Sequence, residues 1–146
     1  MEDKTQMKKL YEIARSSRTT DEFISYIEHV SQWASFSACD LANKIYKAAM
    51  TKYDATIRKR VGAIKVDTDS VADQMHSVKA FAIKHGLMSD YTFYLERLVL
   101  NGEPFDMTSA LNRLTEAAIT MYDMRLRLKI DTSTGITIIG GYKDAV

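Results

Sequence analysis

Apolar residues recur at three- and four-residue spacing from Met7 to Tyr122, and a single proline, Pro104, falls in all of that length. A chain so patterned, with so few helix breakers, is confined to a helical fold. Met7, Leu10, Tyr11 and Ala14 mark one face of a first helix over about 3–16. Phe23, Ile27, Val30 and Ala34 mark a second, opened by the capping-box pattern Thr19-Thr20-Asp21-Glu22. The longest periodic run is about 38–64, with Leu41, Ile45, Ala49, Tyr53, Ile57 and Val61 inward and Ser37 placed to cap it. A fourth helix follows at about 70–85 and stops at Gly86. A fifth, capped by Ser89, carries Tyr91, Tyr94, Leu95 and Leu98 and ends at Asn101-Gly102. Phe93 points away from that stripe and would anchor a protein interface if exposed. A sixth helix begins after Asp106 and carries Leu111, Leu114, Ala118 and Met121.

Beyond Met124 the period changes. In Arg125-Leu126-Arg127-Leu128-Lys129-Ile130 apolar and basic residues alternate, the sidedness of a strand. Asp131-Thr132-Ser133-Thr134-Gly135 offers turn chemistry, and Ile136-Thr137-Ile138-Ile139 is rich in β-branched residues before Gly140-Gly141. The expected architecture is therefore a compact, mainly α bundle of five to six helices with a C-terminal β-hairpin at about 124–140. It forms one domain over 1–146, with 124–146 as the hairpin tail.

A two-stranded hairpin is marginal in water and must lay its apolar face on something. Leu126, Leu128, Ile130, Ile136, Ile138 and Ile139 are the interface this reading offers, either to the chain's own helices or to a strand of another copy. The leading functional expectation is a non-enzymatic interaction protein, a small regulatory or assembly factor that oligomerises through that hairpin. Small, proline-poor helical proteins of this composition are common among phage and mobile-element products.

Charge supplies the alternative. The net charge is only +1, yet it is unevenly distributed. Four acids and no lysine or arginine lie between Asp21 and Asp40. Seven bases and one acid lie between Lys44 and Lys65, and seven acids against three bases between Asp67 and Asp106. Lys44, Lys47, Lys52, Arg58, Lys59, Arg60 and Lys65 are thus candidates for nucleic-acid contact, because cations along a helix can lie on phosphates. The acidic segments on either side could equally neutralise them. Helices followed by a basic hairpin resemble winged-helix DNA binders in outline, but no tight helix-turn-helix is identifiable.

Chemistry is sparsely represented. His29, His76 and His85 lack the spacing of a zinc pair, and Cys39 is the only cysteine. Asp67-Thr68-Asp69-Ser70 begins like a calcium loop but has Ala72 at the glycine position and Val78 at the last ligand position. Asp73 and His76 share a helical face but have no nucleophile beside them. No catalytic, cofactor-binding or metal-binding residue is assigned, and an enzyme whose site is assembled across helices is the third reading. The charged N-terminus and the lone cysteine lead us to expect a cytoplasmic protein without a membrane partner.

Overall fold

The computed structural model describes residues 2–67 and 69–143. Among the described residues six helices follow one another: α1 Asp3–Ser16, α2 Thr20–Trp33, α3 Ala38–Gly62, α4 Val71–Lys84, α5 Met88–Asn101 and α6 Met107–Thr134. The chain divides into two compact units, Met1–Tyr53 with Tyr122–Val146, and Asp54–Met121. The first takes α1, α2, the start of α3 and the end of α6. The second takes the end of α3, α4, α5 and the start of α6.

Helix ends follow local chemistry. Ser70 caps α4 by accepting from the Asp73 amide, Ser37 accepts from the Asp40 amide at the start of α3, and Asp106 accepts from Ser109 at the start of α6. Those Ser109 bonds hold the Asp106 carboxyl below its ordinary range. Two expected caps are not used. Thr19 precedes α2 without a side-chain capping bond, and its partner Glu22 instead accepts from Lys52 at 2.7 Å. α5 starts at Met88 after Leu87, so Ser89 lies inside the helix.

Three helix ends share one geometry. The Leu87 amide donates to the Ala82 carbonyl at 2.8 Å and the Gly86 amide to Ile83, with Gly86 at φ +69°. Gly102 does the same after α5, and Arg18, unusually for a non-glycine, does it after α1 at φ +60°. Residues 85–87 join α4 to α5, and the two helices pack on each other as a helical hairpin.

In the first unit α1 packs on α2, with Tyr11 edge-on to Phe23 at 5.3 Å. Leu10, Ile13 and Ala14 from α1, Leu41, Ile45, Tyr46 and Met50 from α3, and Leu126 and Ile130 from α6 are buried. Gln6 donates to the Thr134 carbonyl and Lys129 to the Ser16 hydroxyl, tying α6 to α1.

The expected β-hairpin is not formed, and no strand exists among the described residues. α6 runs through the alternating segment to Thr134. Leu126 and Ile130 are four apart and so share a helical face; both are buried, whereas Leu128 is 63% exposed. A strand would have put all three on one side. Gly135, at φ +76°, donates to the Asp131 carbonyl at 2.7 Å and terminates the helix. The positive φ that suits a hairpin turn here ends a helix instead. Over residues 136–143 the chain is neither helix nor strand, with Ile136 and Ile138 buried and Thr137 and Ile139 exposed.

Candidate functional site: the exposed face of the α4–α5 hairpin

The second unit buries Val78, Phe81 and Ala82 of α4 and Tyr91, Tyr94 and Leu98 of α5. At about 100° per residue, these positions define one face of each helix. A different face of the hairpin stays open, and it is not polar. Ile83 and Met88 are exposed near the turn. Val99 and Leu100, side by side near the end of α5, are 81% and 83% exposed. Between the helices lies a groove of about 370 Å³ lined by Ala72, Met75, His76 and Lys79 from α4 and Met88, Tyr91, Thr92 and Leu95 from α5. A shallower depression continues it along α5 over Ser89, Phe93 and Glu96, sharing Met88 and Thr92.

Two contacts fix this geometry. Tyr91 is buried except at its groove-facing edge, and its hydroxyl donates to the Met75 carbonyl at 3.4 Å, joining the two walls. Burial pushes its phenol pKa up. The exposed Phe93 ring lies 5.8 Å from the Arg97 guanidinium. Single exposed apolar residues are ordinary on a protein surface, but here Met88 and Phe93 line the groove and its continuation, and Ile83, Val99 and Leu100 are exposed on the same two helices. The two methionines suit a contact surface, since their unbranched thioethers adapt to the shape placed on them.

His85 closes the α4 end of the turn. Its ring lies 4.5 Å from that of Phe81, and its buried Nε2 has no hydrogen-bond partner among the described residues. Burial, then the nearby Arg60 and Lys84 charges, lower its pKa and keep the ring neutral. A second, more polar recess of about 290 Å³ lies between α5 and the start of α6, over Tyr94, Arg97, Asp106 and Arg113. It is braced by the Tyr94 hydroxyl, which donates to the Asp106 carbonyl at 3.3 Å.

No protein-family model, curated protein or solved structure matches the chain. The functional reading therefore rests on geometry alone.

The sequence-derived candidates distribute as follows. In the first unit, Lys44 is exposed, Lys47 half-buried, and Lys52 is engaged by Glu22 and by the Arg18 carbonyl. In the second, Arg58 bridges Asp54 at 2.5 Å and Glu116 at 2.9 Å, while Lys59, Arg60 and Lys65 are exposed. The seven bases are thus divided between two units, and two of them are held by carboxylates. Of the hairpin interface, Leu126, Ile130, Ile136 and Ile138 are buried in the first unit, and Leu128 and Ile139 are exposed. Cys39 is exposed at the start of α3. Among the described residues, no group of histidine, cysteine and carboxylate side chains could hold a metal ion, and no helix is long and apolar enough to cross a membrane.

Sequence reasoning singled out Phe93 as an interface anchor if exposed, which it is. It overlooked Ile83, Met88, Val99 and Leu100. The signal was present: once Tyr91, Tyr94 and Leu98 take the inward face of α5, Met88, Leu95 and Val99 fall on a second apolar stripe to one side, a width one buried face does not require.

Proposed function

We propose that the chain is a non-enzymatic interaction protein, a small regulatory or assembly factor that works by burying the α4–α5 face against another protein. The observation that carries this reading is the exposed apolar set Ile83, Met88, Phe93, Val99 and Leu100 on one helical hairpin. Leaving such side chains in water forgoes about 25 cal/mol for each Å² of apolar surface that a partner would cover. A rim containing His76, Lys79 and Glu96 would orient the partner, since interface rims are polar while centres are apolar.

In-cell photo-crosslinking tests it. A photo-reactive amino acid at position 92, an exposed position lining the groove, should yield a discrete protein adduct in the cells that make this chain. The same residue at the exposed position 12 of α1 should yield none. Equal adducts at both positions, or none at position 92, would defeat the reading.

A further inference from the structure

We infer that the turn joining α4 to α5 is an acid-sensitive joint: a proton taken up by His85 drives its ring from its place beside Phe81 and loosens the turn. All the residues concerned belong to the second unit, and the joint acts whatever covers the α4–α5 face.

The three helix ends of shared geometry single His85 out. In each, an amide closes back across five residues: Thr19 to the Ala14 carbonyl at 2.7 Å, Leu87 to Ala82 at 2.8 Å and Glu103 to Leu98 at 2.9 Å. The residue of positive φ lies just before the donor, and before that stand Ser17, His85 and Asn101. The Ser17 hydroxyl donates to the Ile13 carbonyl at 2.8 Å, and Asn101 is exposed. His85 has neither outlet for Nε2. Its ring lies 4.5 Å from that of Phe81, and Nε2 is buried with no hydrogen-bond partner among the described residues. In the neutral ring Nε2 can be the bare acceptor, with the proton on Nδ1. In the charged ring both nitrogens carry hydrogens, so an N–H without an acceptor and a positive charge would be buried together.

The surroundings oppose the proton further. The charged groups that act on the ring are Arg60, in the last turn of α3, and Lys84, next to it on α4, and both are cations. Among the described residues no carboxylate pairs with it; Asp90, the acid in the first turn of α5, is exposed. The carbonyl end of α4 favours a cation, but that attraction is modest and screened by salt, whereas burial of an unpaired charge is costly. The folded ring therefore takes its proton at lower pH than the ordinary 6.5. Once the turn opens, water solvates the ring and the ordinary value returns. Because the folded value is the lower one, the closed turn has its full stability above pH 6.5 and loses it as the pH falls toward the folded value. Ile83 and Met88 flank the turn, so its closure sets their spacing.

Amide hydrogen exchange followed by NMR on the full chain tests this, with each rate corrected for the intrinsic effect of pH. From pH 6.5 to about 5.5 the opening constant at the Leu87 amide should rise by up to about fivefold, the ceiling for one proton bound only in the open form. The Thr19 amide closes the same kind of turn without a histidine and should not change. His85→Phe keeps an aromatic ring beside Phe81 and cannot titrate, so its Leu87 opening should be level over this range. Arg60→Glu replaces an exposed cation and should keep the fold. Its carboxylate favours the charged ring, so the rise at Leu87 should shrink or vanish. If His85→Phe does not fold, Arg60→Glu decides alone. No rise at Leu87 in the wild type, an equal rise at Thr19, or a full rise retained by Arg60→Glu or by folded His85→Phe would overturn the inference.

Discussion

The Arg127 guanidinium donates through Nη1 to the Ile138 carbonyl at 2.9 Å, tying the last turns of α6 to the chain eleven residues farther on. Three more of its hydrogens are engaged. Nε donates to Asp123 at 2.8 Å, and Nη2 donates to the Tyr46 hydroxyl at 2.8 Å and to the Gly140 carbonyl. The guanidinium carbon also lies 4.8 Å from the Tyr46 ring centre. One side chain thus joins α3, α6 and the C-terminal segment of the first unit. Asp123 precedes Arg127 by four residues, the favourable order for a helical ion pair.

Arg127→Ala removes all of these bonds and leaves two carbonyls of the tail without their donor. We expect a loss of about 2–3 kcal/mol, at the upper end for hydrogen bonds to a charged group. Urea denaturation gives the size. Hydrogen exchange gives the location: amides at 136–140 should exchange faster than in wild type, while those of α4 and α5 should not change.

Tyr46 provides a pH signature for the same cluster. Its phenol is pushed up from an ordinary 10.0 to about 12, first by burial, then by the hydrogen bond it donates to Asp123 and by that carboxylate's charge, with Arg127 opposing. Because the folded value is the higher one, the stabilisation is complete below pH 10 and is lost as the pH rises through 12. Tyr46→Phe deletes the titrating group. It should lower stability at neutral pH by about 1 kcal/mol and fall less steeply than wild type on the alkaline side. Parallel denaturation curves from pH 10 to 12 would contradict the assignment.

The helices were largely legible from the sequence, because buried positions such as Leu41, Ile45 and Ala49 in α3 and Leu111, Leu114 and Ala118 in α6 repeat with the helical period. The last segment was not. Alternation over six residues places Leu126 and Ile130 together on a strand, but they are also four apart, and a helix satisfies both. What separates the readings is Leu128, and its environment depends on partners far along the chain. Arg127 reads locally as one of three solvated bases; its value as a clamp depends on Tyr46, 81 residues away. The same limit applied to the α4–α5 face. Which apolar stripe of a helix is left open is settled by how many neighbours the fold supplies, and spacing does not encode that number.

The strand and helix readings of α6 differ in a measurable way. Ile130 is fully buried and Leu128 is 63% exposed. Ile130→Ala should cost about 2–4 kcal/mol through lost burial and the cavity left behind. Leu128→Ala should stay within about 0.5 kcal/mol of wild type. Similar losses at both positions would restore the one-sided strand.

Arg18 holds a backbone conformation that glycine holds at the corresponding points after α4 and α5. For a residue with a Cβ the left-handed region costs about 1–2 kcal/mol. Glycine removes that strain but has more freedom to lose from the unfolded chain, which returns about 0.5–1 kcal/mol of the gain. The Arg18 carbonyl accepts from Lys52, and its amide bonds to Arg15, so neither contact involves the side chain that would be deleted. Arg18→Gly should therefore raise stability by about 0.5–1 kcal/mol. Arg18→Ala, which keeps the Cβ, should leave it nearly unchanged. Equal effects from the two variants in thermal or urea unfolding would show that the side chain beyond Cβ, and not the backbone angle, governs this turn.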